Sequence, residues 1–288
     1  MKRIVVTPAG RRQYLPLLAA HLEAQKEAFD EWHLWMNTNV QLDQECIRDL
    51  ASKHPWVTVV THPDSDPSVG SWNIHKFFVG CTDPDTVYLR LDDDVVWLEP
   101  GFLERTFAFR QANPQYFLVY ANIINNAVVS HIHERSGRIW SEQGRAGYLC
   151  MCPVAWNNPD FAKDLHLAFL KAIREGAVAD WHFGVWKLYD YERVSINCIS
   201  WMGKEFAEFG GLVGHDEEQW LACDKPRELG RMNAIFGDAC CVHYAFFTQR
   251  PGLDATDILA QYDAVTPEHA PPPEHTPPPE HTRSAPEQ

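Results

Sequence analysis

Three consecutive aspartates, Asp92 to Asp94, directly follow the largely apolar segment Tyr88 to Leu91. Successive side chains of a β-strand point to opposite faces, so a strand that continues through the acids would place Asp92 and Asp94 on one face. Two carboxylates held side by side repel each other unless a cation lies between them, and oxygen ligands favour Mg²⁺ or Mn²⁺. The pattern therefore predicts a divalent metal site at a strand end. A solvated acidic turn is the alternative.

Several cations lie near these acids in the sequence. Arg90 would share a strand face with Asp92, and an arginine inside an apolar strand needs an anionic partner. Lys76 precedes this strand, and Arg11 and Arg12 follow the first strand of the chain. These side chains could contact an anionic substrate beside the metal. Each could also be an ordinary surface cation.

A second group of acids occurs in the segment from Gly214 to Leu221, where Asp216, Glu217 and Glu218 stand at the predicted start of a helix. A carboxylate in this position could remove a proton from a substrate hydroxyl. Asp216 with a glutamine three residues later also forms a capping box, and acids are favourable at helix N-termini in any case. Both interpretations stay open, because a capping residue can also act as a base.

Alternating strands and helices must position these residues. Hydrophobic periodicity predicts strands at 4–7, 32–36, 56–61 and 88–91 with helices between them, which is βαβ spacing and indicates parallel strands. Ligands of such sheets bind beyond the carboxyl ends of the strands, where the aspartates lie. The second half predicts helices at 102–110, 161–173 and 255–262, and strands at 117–131, 194–198 and 240–247.

Composition limits the class of protein. With 288 residues, 45% hydrophobic residues and 11 tryptophans, the chain can form a substantial core, and the absence of a linker before residue 263 predicts one domain over 1–262. The formal net charge of −14 disfavours nucleic acid or an anionic membrane as the main partner. No apolar run suggests a signal peptide or a transmembrane segment, so the eight cysteines are expected to be reduced core residues of a cytoplasmic protein.

The segment 263–288 has a different composition. Pro267-Glu268-His269-Ala270-Pro271-Pro272 recurs as Pro273-Glu274-His275-Thr276-Pro277-Pro278. A proline-dominated repeat of six residues cannot form a packed core, so it predicts a disordered tail or tether. Loose metal chelation by the repeated histidines is the alternative.

An apolar strand that ends in Asp-x-Asp about ninety residues after the first strand resembles the nucleotide-sugar glycosyltransferases of the GT-A class, and the similar organisation covers about residues 1–250. This resemblance implies an α/β fold with a Rossmann-type mixed sheet and helices on both faces. It also implies metal-dependent sugar transfer from a UDP- or GDP-sugar to a glycan, lipid-linked or protein acceptor, as in polysaccharide biosynthesis.

The resemblance assigns roles to particular residues. Asp92 and Asp94 match the pair that holds Mn²⁺ or Mg²⁺, and His243 matches a histidine that completes the metal site from a C-terminal strand; an imidazole ligand would favour Mn²⁺. Asp216 or Glu217 would be the base of an inverting enzyme, with retention left open. The residues expected to bind the donor are Thr7, Pro8, Arg11, Arg12, Asp64, Lys76, Arg90, Asp92 and Asp93.

Other functions stay open. Asp92 to Val96 also resembles the nucleophile motif of haloacid-dehalogenase-like phosphatases, although three predicted βα units precede it here. A nucleotidyltransferase would use related chemistry, but no glycine-rich signature follows the first strand. A non-catalytic protein that binds nucleotide sugars or glycans is the alternative from another class.

Overall fold

A computed structural model describes residues 1–267 and residue 269. Its strands are β1 (Lys2–Ala9), β2 (Glu31–Met36), β3 (Val57–Val60), β4 (Thr86–Leu91), β5 (Val95–Leu98), β6 (Val119–Ile124), β7 (Val185–Leu188), β8 (Cys198–Met202) and β9 (Asn233–His243). Residues 268 and 270–288 of the predicted tail lie outside the described residues, and the domain boundary at 262 stays a prediction.

The helices surround this sheet. They are α1 (Leu15–Glu23), α2 (Gln41–Lys53), α3 (Phe102–Ala112), α4 (Ala127–Arg135), α5 (Pro159–Arg174), α6 (Gly203–Ala207), α7 (Glu217–Gln219), α8 (Lys225–Leu229), α9 (Arg250–Asp254) and α10 (Ile258–Asp263). Segments of 3₁₀ helix lie at Lys26–Ala28, at Pro67–Gly80, where Gly70 interrupts the helix, and at Val178–Trp181, and one π-helical turn lies at Trp220–Asp224. Within the described part of the chain, no helix is long and apolar enough to cross a membrane.

The strands form one sheet in the order β3-β2-β1-β4-β8-β6-β9-β5, and β7 also pairs with β9. The four strands β3, β2, β1 and β4 are parallel, as their βαβ spacing predicts. Strand β8 is antiparallel to both of its neighbours, and β5 and β7 are antiparallel to β9. The predicted α/β class with a mixed sheet is confirmed.

The connection between β4 and β5 requires the sheet to curl. Three strands lie between these two in the sheet order, which in a flat sheet would separate them by about 19 Å. Only Asp92, Asp93 and Asp94 join them, and this connection spans at most about 14 Å when fully extended. The sheet therefore bends so that the start of β5 and the end of β9 approach the end of β4.

Apolar side chains cover both faces of the sheet. Alternate residues of β9 point to opposite faces: Cys241 lies in the core cluster that includes α3, whereas Cys240 and Val242 lie in the cluster that includes α5. The predicted core role of the cysteines is confirmed, since seven are buried and Cys46 is half-buried, and all eight are free thiols.

Some predicted elements have other boundaries. The expected strand at 117–131 ends at Ile124, because the side chain of Asn126 accepts hydrogen bonds from the amides of Val128 and Val129 and caps α4. The expected strand at 194–198 begins only at Cys198. The final helix expected at 255–262 is replaced by α9 and α10.

Candidate functional site

The three aspartates form the whole connection between β4 and β5, which we call the acid turn (Asp92, Asp93 and Asp94). The turn is closed by a hydrogen bond of 3.1 Å from the amide of Val95 to the carbonyl oxygen of Asp92. Because the acids lie in a turn, the strand alternation expected for Asp92 and Asp94 does not apply to them. Asp92 has its own partners, whereas Asp93 and Asp94 have one partner in common.

Asp92 is held by one residue of β4 and by the residue that directly precedes β8. Its Oδ1 accepts a hydrogen bond of 2.9 Å from Arg90 Nε, and its Oδ2 accepts one of 3.2 Å from Asn197 Nδ2. Asn197 is in turn contacted by the side-chain amide of Asn126 at 3.3 Å. The carboxylate of Asp92 is therefore fixed in orientation before any ligand binds.

Asp93 and Asp94 share the guanidinium group of Arg11. Arg11 Nε lies 2.7 Å from Asp93 Oδ1, and Arg11 Nη1 lies 2.7 Å from Asp94 Oδ2. Asp93 also accepts a hydrogen bond of 2.8 Å from the amide of Gly10, in the turn that follows β1. Burial raises the pKa of Asp93 despite the attraction of Arg11.

Asp94 is surrounded by positively charged or protonatable groups. Besides Arg11, Arg250 Nη2 lies 3.0 Å and His243 Nε2 lies 3.5 Å from Asp94 Oδ2. Burial alone would raise the pKa of Asp94, but Arg11, His243 and Arg250 outweigh it and lower the pKa below its ordinary value. Asp94 is therefore ionised at neutral pH.

The ring of His243 is oriented by the backbone of Asn125. His243 Nδ1 lies 3.1 Å from the carbonyl oxygen of Asn125, which can only accept, so Nδ1 carries a proton. Nε2 then faces Asp94. Asn125 has a left-handed backbone (φ 64°), and its side-chain amide donates to the carbonyl oxygen of Tyr244 and to Gln249 Oε1.

These residues fit a divalent cation. Asp94 Oδ1 is buried, and among the residues described no hydrogen-bond donor reaches it. On a neutral His243, the lone pair of Nε2 would face the carboxylate of Asp94, which is unfavourable unless a cation or a proton lies between them. A carboxylate oxygen with an imidazole nitrogen is a donor set that suits Mn²⁺ better than Mg²⁺.

Asn125 provides a test of this arrangement. Asn125→Ala should destabilise the fold by about 1–3 kcal/mol, because it removes two buried hydrogen bonds and leaves a Cβ in a left-handed conformation. Asn125→Gly removes the same hydrogen bonds without the backbone strain, so it should be about 1 kcal/mol less destabilising than alanine. Urea denaturation of both variants measures the difference. Equal stability of the two would show that the positive φ is not strained.

Glu217 lies on the other side of Arg90. Its Oε1 accepts a hydrogen bond of 2.9 Å from Arg90 Nη1, so that Arg90 bridges Glu217 and Asp92. Its Oε2 is buried and has no hydrogen-bond partner within residues 1–267 and 269. Burial raises the pKa of Glu217 to about 7 and outweighs the attraction of Arg90. A carboxyl group with such a pKa can exchange a proton at neutral pH.

Asp216 is the N-terminal cap of a short helix. Its Oδ1 accepts a hydrogen bond of 3.1 Å from the amide of Gln219 and so caps the short helix α7. Both of its oxygens also contact Arg193, at 3.1 and 3.2 Å, and its side chain is 41% exposed. Of the two candidate bases, Glu217 is therefore the one that is linked to the acid turn.

Several residues expected to bind the donor have other contacts. Thr7 and Pro8 are buried in β1, and Thr7 Oγ1 accepts a hydrogen bond from Trp32 Nε1. Arg12 pairs with Asp43 of α2 at 2.8 Å.

On the segment after β3, Lys76 donates to the carbonyl oxygen of Asp64. Within the described part of the chain, Arg12 and Lys76 therefore make their side-chain contacts outside the acid turn, whereas Arg11 and Arg90 contact its carboxylates.

Sequence reasoning missed three residues of the site. Arg250 pairs with Asp94, Asn197 with Asp92, and Asn125 orients His243. The asparagines that interrupt the apolar segment at 122–126 were a usable signal, because buried amides need partners. Arg250 follows the predicted C-terminal strand by only a few residues but carries no local motif.

No protein-family model matches the sequence, and no curated protein matches it. Among solved structures, the chain is similar to the mannosyltransferase PcManGT from Pyrobaculum calidifontis in complex with GDP-Man and Mn²⁺, with 15% identity, a TM-score of 0.46 and coverage of 84% of this chain. The chain spans only 56% of that mannosyltransferase.

Two other similar structures are synthases or synthetases of nucleotide derivatives. A CMP:2-keto-3-deoxy-manno-octonic acid synthetase complexed with CTP has 10% identity and a TM-score of 0.47, covering 91% of this chain and 100% of that one. A 4-diphosphocytidyl-2C-methyl-D-erythritol synthase from Anaerococcus prevotii has 12% identity and a TM-score of 0.42, with coverages of 91% and 96%. Similarity at this level does not identify a reaction for this chain.

Proposed function

We propose that the protein is a metal-dependent glycosyltransferase that moves a sugar from a UDP- or GDP-sugar to a hydroxyl group of a glycan, lipid-linked or protein acceptor. The observation that carries this proposal is the pairing of Asp94, whose Oδ1 is buried without a partner, with His243 at the carboxyl end of β4. The same end of the sheet holds Glu217, a buried carboxyl group suited to proton transfer.

Asp94 and His243 would hold the cation, and Mn²⁺ or Mg²⁺ bound there would stabilise the negative charge that develops on the diphosphate leaving group. Asp92 is committed to Arg90 and Asn197, so we assign it to orientation of the site and to contact with the donor. In this assignment Asp94 binds the metal ion, whereas Asp92 contacts the nucleotide-sugar donor.

Arg11 and Arg250 would recognise the phosphates of the donor. Their side chains are 32% and 24% exposed while they contact the acid turn, so a ligand that approaches from solvent can reach them. Arginine is suited to this role because its planar guanidinium can bind phosphate oxygens with two parallel hydrogen bonds. Both side chains could exchange a carboxylate partner for a phosphate.

Glu217 would remove the proton from the acceptor hydroxyl. A base with a pKa near 7 is ionised in a large fraction of molecules at neutral pH and is still basic enough to accept a proton in the transition state. Direct attack by the activated hydroxyl on the sugar would invert the anomeric configuration, so we propose inversion.

A nucleotide-sugar screen tests the proposal. Thermal shift with UDP- and GDP-sugars, each with and without Mn²⁺, should identify a donor that stabilises the protein only when the metal is present, because both partners bind the folded state. Incubation of that donor with Mn²⁺ should then release nucleoside diphosphate, slowly with water and faster with the correct acceptor.

The outcomes separate the competing functions. Release of pyrophosphate from a nucleoside triphosphate and a sugar phosphate would indicate a nucleotidyltransferase. Binding of a nucleotide sugar with no release of diphosphate under any condition would indicate a non-catalytic binding protein. Absence of any Mn²⁺-dependent stabilisation across the donors would contradict the proposal.

A further inference from the structure

We propose that Glu99, His182 and Cys240 form a second metal site, suited to Zn²⁺ or a similar borderline cation. The ligand atoms of these three side chains all lie within 4.8 Å of one another. Glu99 directly follows β5, Cys240 belongs to β9, and His182 comes from the segment between α5 and β7. The group lies at the end of β5 opposite the acid turn.

The spacing of the ligand atoms is close to that of a zinc site. His182 Nε2 lies 3.1 Å from Glu99 Oε1 and 3.0 Å from Glu99 Oε2. Ligands at about 2.0–2.3 Å from a tetrahedral ion are themselves roughly 3.3–3.8 Å apart. Side-chain adjustments of about an ångström would therefore accommodate the ion.

Glu99 is already oriented for ligation. Its Oε2 accepts a hydrogen bond of 2.9 Å from the amide of Cys240 and lies 3.0 Å from Arg105 Nη2. Arg105 is held in place by a hydrogen bond of 3.0 Å from its Nε to the carbonyl oxygen of Asp238. These contacts fix the carboxylate with both of its oxygens within 3.1 Å of His182 Nε2, and outer contacts orient ligands in the same way at established metal sites.

The chemistry of the three donors selects the metal. A thiolate, a carboxylate and a neutral imidazole together carry two negative charges, which balance a divalent cation, and binding would release the thiol proton to solvent. Sulfur favours Zn²⁺ over Mg²⁺ or Mn²⁺, whereas the Asp94 and His243 pair offers no sulfur. Water would be the fourth ligand, and Glu99 lines a cavity of about 720 Å³ that leaves room for it.

This site is distinct from the acid turn. Asp94 and Glu99 are five positions apart along nearly extended chain, which corresponds to about 16 Å. Its ligands join three segments that are far apart in sequence, so the metal would brace the segment around His182 against the sheet. The site is independent of the proposed sugar transfer.

Cobalt provides a specific probe. Addition of Co²⁺ to the full-length, metal-free protein should produce a near-ultraviolet thiolate-to-cobalt charge-transfer band together with visible tetrahedral bands, and Zn²⁺ should abolish both by displacement. Cys240→Ser should lose the charge-transfer band. Cys241→Ser is the matched control, because this neighbouring buried cysteine faces the other side of the sheet and should leave the band unchanged.

His182 supplies a second variant that does not disturb the core. Its side chain is 23% exposed, so His182→Gln should fold and should weaken Co²⁺ binding at least about tenfold. Asp94→Asn should leave the charge-transfer band intact, which separates this site from the proposed transferase site. No band with up to about a hundredfold excess of Co²⁺, or a band that persists in Cys240→Ser, would overturn the proposal.

Discussion

Replacing Asp94 with asparagine should lower kcat/KM for sugar transfer by about a thousandfold, a loss of roughly 4 kcal/mol of transition-state stabilisation. Asparagine keeps the shape of the side chain but removes the charge that Arg11, Arg250 and His243 surround. The fold should persist, because Arg11 retains Asp93 and Arg250 retains the carbonyl oxygen of Ala245 as partners. Steady-state kinetics with the donor identified by the screen measure the effect.

A matched control distinguishes loss of charge from general damage. Asp164 of α5 is a partly exposed aspartate whose carboxylate accepts one hydrogen bond, from Ser141 Oγ, and Asp164→Asn should retain full activity. The Mn²⁺-dependent thermal stabilisation should disappear in Asp94→Asn and persist in Asp164→Asn. An Asp94→Asn enzyme with wild-type kcat/KM would refute the assignment of Asp94 to the metal.

Glu217→Gln should lower the rate by about 10²–10⁴-fold, the usual contribution of a general base. In the unmodified protein, log(kcat/KM) should rise with pH up to about 7 and then level off, because only the ionised form of Glu217 can accept the proton. Glu217→Gln should have a low kcat/KM that does not depend on pH in this way. Measuring kcat/KM from pH 5.5 to 8.5 tests both expectations.

The same carboxyl group should also affect stability. Since the pKa of Glu217 is raised by folding, the unfolded chain releases this proton at lower pH than the folded protein does. The contribution of Glu217 to the free energy of unfolding should therefore fall as pH rises from about 4.5 to about 7. Glu217→Gln should lose less stability than the unmodified protein over this range. If Glu217→Gln and the unmodified protein have the same pH profiles of kcat/KM and of stability, Asp216 would instead be favoured as the base.

Hydrophobic periodicity in the sequence is sufficient to predict the strands in the first half of the fold. The strands expected at 4–7, 32–36 and 56–61 correspond to β1, β2 and β3, because each pairs in parallel with a neighbour that is close in sequence. The curl of the sheet could not be predicted in this way. It depends on β9, which pairs with β6, β5 and β7 over separations that no local pattern records.

The contacts of the acids illustrate the same limit. The sequence placed Arg90 beside Asp92, and the structure has that ion pair. It did not indicate that Arg11 would bind Asp93 and Asp94, because that contact depends on the pairing of β1 with β4. Local spacing predicts which groups are available, whereas sheet topology decides which of them meet.

The position of the acid turn limits where the backbone can be cut without loss of function. It is the only covalent link between β4, which belongs to the parallel strands, and β5, which lies at the far edge of the strand order. Its carboxylates form ion pairs with Arg11, which follows the first strand, and with Arg250, which follows the last strand. A break in the backbone between Leu91 and Val95 would leave β5 paired with β9, but the aspartates would no longer be held between β4 and β5. Fragments that meet at this point should therefore be individually inert, and permuted chains should tolerate new termini at exposed loop tips but not within the acid turn.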